Sequence, residues 1–263
     1  MKTRIVVLAL LIAGALGSCR SGKKDALTAL DIAKGKIQNS IDSLNRVLAS
    51  AAESLAGVVA DPEAIRVRLK QVRSGSLLTQ EVAFITPEGN KQIIEPRSLR
   101  EYEGTSLKQE SYVMGAMQSR QPAFSGLFKA PEGFQAVGVV HPVVSGSTAL
   151  GAIESSFTPY DLIHGIRITL VTAPDEIWVM DQDGTVIYQV DSGTVGKNVF
   201  KDDSFSKFIN FQSACKTIAG AESGEVNYSY YETGTTNQVD KMAYWKTITM
   251  LEKSWKIIYA LGK

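Results

Sequence analysis

The chain has 263 residues, 44% hydrophobic and 21% charged, which are the proportions of an ordinary globular protein. A formal charge of +1 argues against a nucleic-acid partner, which would call for a basic patch. Two cysteines, Cys19 and Cys215, exclude a disulfide framework, and the length suits one large domain or two small ones.

Residues 1–19 read as a processing segment. Lys2 and Arg4 form a short basic region, and Ile5 to Gly17 is an apolar run of 13 residues. A helix of that length reaches about 20 Å, short of the roughly 30 Å hydrocarbon core, so the run reads as a secretory signal and not as a membrane span. It ends in Leu16-Gly17-Ser18-Cys19, which resembles the bacterial lipobox. The resemblance implies that Cys19 is lipidated and becomes the mature N-terminus; the other reading is an ordinary signal with an incidental cysteine. Cleavage would also remove Lys2 and Arg4, taking the charge from +1 to −1. That balance argues against electrostatic attachment to anionic lipid and leaves the lipid on Cys19 as the anchor. Arg20 stands where such lipoproteins, when retained at an inner membrane, commonly carry Asp, so the choice of membrane stays open. Cys215, among Phe208, Phe211 and Ile218, reads as buried and structural.

Arg20 to Lys24 is a polar tether. A long helix is expected from about Asp25 to Val59, because Ile37, Ile41, Leu44, Leu48, Ala51, Leu55 and Val58 recur at alternating spacings of four and three. The seam fits a coiled-coil dimer or, with a sheet-rich body following, packing along that body. Asp61-Pro62 stops it, and a second helix runs from Pro62 to about Arg73. From Gly75 the period becomes 2. Strands are expected at Leu77–Thr86 and Lys91–Glu95 around a Pro87–Asn90 turn, a helix at Glu110–Ser119 and a strand at Ala123–Phe128. The two arms of 136–157 form a hairpin around Ser145-Gly146-Ser147, and a short helix follows at Tyr160–Ile166.

The pattern then repeats. Strands are expected at Glu176–Met180 and Thr185–Val190, a helix at Ser204–Ile218, and strands at Gly224–Glu232, Met242–Met250 and Trp255–Leu261. Each half runs strand, turn, strand, helix and three strands, so the expected fold is α+β: a long N-terminal helix followed by two modules of the same plan, each an antiparallel sheet with flanking helices. The expected division is a signal at 1–19, tether and helices at 20–74, and modules at 75–168 and 169–263. The boundary lies near residues 165–175.

This doubled order resembles the double Cache (dCache, PAS-like) extracellular sensor family. In the first half the resemblance rests on Phe84–Gly89, Tyr112–Ala116, Pro122–Ser125, His141–Val144 and Leu150–Ile153. In the second it rests on Ile177–Tyr188, Val195–Phe200, Ser223-Gly224 and Trp255–Ile257. It implies reversible binding of a small solute outside the cell, in the first, membrane-distal module. Amino-acid-binding members carry an Arg and aromatic residues where this chain has Gln109-Glu110-Ser111-Tyr112, and an Asp where it has Ser156. Both departures argue against an amino-acid sensor. Family receptors continue into a membrane helix and a signalling module, whereas this chain stops at Lys263; the expectation is a lipoprotein sensor or co-receptor serving a separate membrane receptor or kinase. The alternative is an interaction protein that keeps the fold without a functional pocket.

Strand alternation places Leu150, Ala152, Glu154 and Ser156 on one face. A carboxylate inside an otherwise apolar strand is either solvated or faces a cavity. With Glu110 and Tyr112 approaching from the covering helix, and Ser125 and His141 from neighbouring stretches, the candidate ligand set is Glu110, Tyr112, Ser125, His141, Glu154 and Ser156. One or two carboxylates and a tyrosine suit a cationic, amine-bearing or donor-rich ligand. His141 also fits a hydrogen-bonded structural role. His141 and His164 lie too far apart in sequence for metal-ligand spacing, and no cofactor is expected. Gly193–Asn198 is not a phosphate loop, because Asp191 takes the first glycine position and Asn198 the hydroxyl position. Trp178, Tyr188, Tyr228, Tyr230, Tyr231, Tyr244, Trp245 and Trp255 read as core packing of the second half, with an aromatic cage for a cation as the other reading. No nucleophile–base pair is visible, so the chain is not expected to be an enzyme.

Overall fold

The structure is a computed structural model that describes residues 6–131, 133–170, 176–190, 192–231 and 237–262; the side chains of residues 6–21, 176, 192 and 231 are outside the description. The lipobox side chains, including Cys19, therefore fall outside it, as does part of the expected boundary at 165–175.

The spine is α1, Val6–Leu55. A helix of that length extends about 75 Å. Ile37, Leu44, Leu48 and Leu55 on its seam are fully buried. They pack along the body of the same chain, which settles the two readings of the seam in favour of intrachain packing. The helix ends at Leu55, four residues before the expected end, and a turn leads to Asp61. The Asp61 carboxylate accepts from the amides of Glu63 and Ala64 at 3.0 and 3.1 Å, starting α2 (Pro62–Gly75).

The first sheet contains β1 (Glu81–Ile85), β2 (Lys91–Glu95), β3 (Ala123–Phe124), β4 (Phe128–Lys129), β5 (Gln135–Ser145) and β6 (Thr148–Phe157), in the order β2-β1-β6-β5-β3 with β4 also on β5. Its short helix is α3, Ser111–Ser119, and α4 (Pro159–Arg167) follows the last strand. The second sheet contains β7 (Glu176–Asp181), β8 (Val186–Tyr188), β9 (Ser223–Tyr231), β10 (Gln238–Met250) and β11 (Lys253–Gly262), in the order β8-β7-β11-β10-β9, with α5 at Ile209–Gly220. Every pairing is antiparallel. The fold is the expected α+β arrangement of a long helix and two antiparallel sheets.

Two strands and one helix differ from expectation. Leu77–Gln80 is a turn and not the start of β1: the Leu78 amide donates to Ser76 Oγ, the Thr79 amide donates to the Ser76 carbonyl, and Leu77 is fully exposed. The expected strand 123–128 is two two-residue strands broken at Ser125–Leu127. The expected helix 204–218 begins as a 3₁₀ turn, Asp203–Phe205, and becomes α-helical only at Ile209.

Both sheets put one face on α1. A single apolar cluster runs from α1 through Phe84, Val137, Ile153 and Phe157 of the first sheet to Val179, Tyr244, Ile248 and Ile257 of the second. The opposite faces carry the short helices. The α3 side holds Ile85, Val113, Ala116, Met117, Val140 and Ala152, and the α5 side holds Trp178, Met180, Cys215, Ile218 and Trp245. Cys215 is fully buried there, and burial pushes its thiol up to about 12. The aromatic residues of the second half divide between the two cores: Tyr188, Tyr244 and Trp255 pack on the α1 side, and Trp178, Tyr228 and Trp245 on the α5 side, where Phe211 is 5.7 Å from Trp178 and 5.4 Å from Tyr228. Polar contacts tie α1 to both sheets: Gln38 exchanges hydrogen bonds with the Thr249 backbone, and Asn45 meets His141.

Candidate functional site

The site lies on the α3 face of the first sheet. Antiparallel register puts Glu154 beside Ala83 and Val140, and Ser156 beside Glu81 and Gly138, so these side chains share one face. Glu154 is 1% exposed and Glu81 is fully buried. Lys91, 5% exposed at the head of β2, donates from Nζ to Glu81 Oε1 at 2.5 Å. Carboxylates this far from water require such charged partners and donors.

Tyr112 closes over this row. Its hydroxyl donates to Glu154 Oε1 at 3.4 Å, and its ring stacks on Phe128 with centroids 6.2 Å apart. Burial, reinforced by the negative charge of Glu154, holds the phenol well above its ordinary value of 10, so it stays a donor at neutral pH. The phenol fits because the residue beneath it is Gly138: a Cβ there would stand 2.6 Å from Glu154 Oε1 and 3.0 Å from the Tyr112 hydroxyl.

Outside Tyr112 a cleft of about 580 Å³ opens between α3, the segment 121–128 and the tip of the β10–β11 hairpin. Glu110, Tyr112, Ser125 and Phe128 line it from the first module, and Glu252 and Lys253 from the second. Glu110 is the N-cap residue of α3, is exposed, and makes no capping bond with its side chain. The size is that of small-molecule sites. A second cleft of about 590 Å³ lies between α1, residues 75–80 and α4, but its acid, Asp161, is engaged by Gln80 and Thr158 of its own wall. Among the described residues, no group of three or more His, Cys, Asp or Glu side chains comes together to hold a metal ion.

Of the six sequence-derived candidates, Glu110, Tyr112 and Ser125 meet at the cleft, and Glu154 and Ser156 lie on the sheet face behind Tyr112. Ser125 is committed to backbone, donating to the Gly126 carbonyl and accepting from the Gly138 amide, both at 2.7 Å. His141 is a correction. It faces α1, with Nε2 2.6 Å from Asn45 Oδ1, so it is on the far side of the sheet from Tyr112 and Glu154. Leu150 is also on that far side, packed against the α1 core. Both follow from a bulge: Val144 pairs with Ala149 but Val143 pairs with Gly151, so Leu150 is an extra residue and the facing parity flips. Gly151 permits this at φ 144°, where a Cβ would strike the Ile85 carbonyl at 2.5 Å.

Glu81, Lys91, Glu252 and Lys253 were not anticipated. Glu81 carried the same signal as Glu154, an acid among Val82, Phe84 and Ile85. Lys91 at a strand start and an acidic hairpin tip carry no such signal.

Residues 39–159 match the model of the HK/GC/chemotaxis protein-like sensor-domain family. No curated protein matches the sequence significantly. Among solved structures the chain is similar to an extracellular ligand-binding receptor from Desulfohalobium retbaense, at 20% identity and a TM-score of 0.74. That match covers 90% of this chain and 40% of the receptor, so the chain spans under half the length of that protein. It is also similar to the ligand-binding domain of the Pseudomonas fluorescens chemoreceptor CtaA in complex with L-alanine (14% identity, TM-score 0.64, 89% of this chain and 94% of that one). A third similar structure is the ligand-binding domain of the Pseudomonas aeruginosa amino-acid chemoreceptor PctB in complex with L-Gln (13% identity, TM-score 0.67, 90% of each chain). The two sheets on one long helix are thus a double Cache fold. The match to the sensor-domain family model covers residues 39–159, and the fold of the chain as a whole is similar to that of these ligand-binding domains.

Proposed function

We propose that the protein is a lipid-anchored, extracytoplasmic lipoprotein that reversibly binds a small amine-bearing solute in the first module and acts as a sensor or co-receptor for a membrane receptor or kinase. The observation that carries this reading is the 580 Å³ cleft whose inner wall, Tyr112, rests on Glu154. Glu110 stands at the mouth, and Glu81, held by Lys91, and Glu154 lie behind, so the carboxylates on the first-module side of the site favour a cationic group. Similar domains bind amino acids, by their descriptions, but Ser156 and Gln109–Ser111 depart from the pattern for those ligands. A thermal-shift screen of amines is expected to give stabilising hits that Tyr112→Ala and Glu154→Gln weaken. A broad metabolite screen with no hit in the wild-type protein overturns ligand binding. The anchor has its own test: globomycin should block processing, and Cys19→Ser should release the protein from membranes.

A second reading, an interaction lipoprotein without a small-ligand pocket, is favoured by one feature. Tyr112 and the Lys91–Glu81 pair fill the sheet face beneath α3. It predicts that pull-downs recover a protein partner with no added solute and that Tyr112→Ala leaves the recovery unchanged.

A further inference from the structure

We propose that the cleft is a two-module site in which Glu252, at the tip of the second module's β10–β11 hairpin, contacts the cationic group of the bound amine. The inference rests on the amine-binding reading above and adds a residue from the other module. Glu252 and Lys253 reach across to line the same cavity as Tyr112 and Phe128. The hairpin tip is held in register with the cleft. Glu252 Oε1 accepts from the Phe124 amide at 3.2 Å, and the Trp255 ring meets the Phe124 ring edge-on at 5.8 Å. Phe124 is itself on β3, immediately before the cleft residue Ser125, so the backbone that shapes the first-module wall is fastened to the carboxylate from the second. The fastening uses an amide donor, which leaves the charge of Glu252 uncompensated by it; the cleft then offers a carboxylate beside two aromatic rings, the surroundings that suit an ammonium on an apolar or aromatic body. Lys253, on the same wall, opposes that ammonium. The two neighbouring residues are therefore expected to act with opposite sign.

The test is calorimetric titration of the full chain in detergent with tyramine, using tyrosol, the same body with a hydroxyl for the amine, as the uncharged control. Glu252→Gln keeps the acceptor for the Phe124 amide and removes the charge. It is expected to weaken tyramine about tenfold without weakening tyrosol to the same degree. Lys253→Gln is expected to tighten tyramine about twofold. Melting temperatures of the variants separate binding losses from unfolding. If Glu252→Gln binds tyramine as the wild type does while Tyr112→Ala loses it, Glu252 is not a contact and the cleft reading survives alone. If both hairpin variants weaken tyramine, the hairpin acts through structure and the proposal is overturned. If the wild type binds no tyramine, the proposal falls together with the amine reading that supports it.

Discussion

Gly138 carries no side chain because Glu154 and Tyr112 occupy the space where one would stand. Gly138→Ala is expected to cost about 1–3 kcal/mol by forcing the phenol off the sheet. Urea unfolding measures the loss; an unchanged midpoint would mean that Tyr112 does not rest there in solution. His141 supplies a pH dependence. Burial lowers its pKa from 6.5 to about 4. The unfolded chain thus takes up a proton near pH 6.5 that the folded chain refuses until about pH 4. Between those values protons favour unfolding, so the stability contribution is whole above pH 6.5 and is lost as pH falls towards 4. The loss amounts to up to about 3 kcal/mol. His141→Gln, which keeps a donor for Asn45, is expected to flatten the fall; equal pH slopes in denaturant titrations of the two proteins would remove His141 as the cause. At this scale alternation made Glu154 legible but could not orient His141, because the single extra residue at Leu150 reverses the face and a bulge has no reliable mark in the sequence.

The seam of α1 was legible because six apolar positions at helical spacing, Ile37 to Leu55, leave little other choice. The strands were legible to within a few residues, except where side chains capture backbone groups, as Ser76 does for the Leu78 amide. The β10–β11 turn shows an element serving the site at a local cost. Leu251 sits at φ 51°, a region that disfavours side chains, and is 37% exposed. Leu251→Gly is therefore expected to raise stability by roughly 0.5–1 kcal/mol, the relief of strain exceeding the entropy of glycine. A lower melting temperature in the variant would show that packing of Leu251 matters more than its backbone.

For the molecule as a whole, the shared core decides cooperativity. One apolar cluster joins α1 to both sheets, and Phe124 of the first module meets Trp255 of the second. All three tryptophans, Trp178, Trp245 and Trp255, lie in the second module. Their fluorescence and far-UV circular dichroism are expected to report one urea transition at the same midpoint. Two separated transitions would mean that the modules unfold independently despite the common helix.

The sequence by itself determined the α+β class, the long helix, the doubled order of strands and the place of an acid inside the apolar strand β6, since each is written in local periodicity; that the acid is buried came from the structure. The tertiary structure alone decided which face His141 takes, that Lys91 sits against Glu81, and that Glu252 and Lys253 of the second module border the cleft with Tyr112. These depend on strand register, on a bulge and on the docking of a hairpin tip against the far module. The Glu252–Phe124 contact joins residues 128 positions apart, and no local pattern records it.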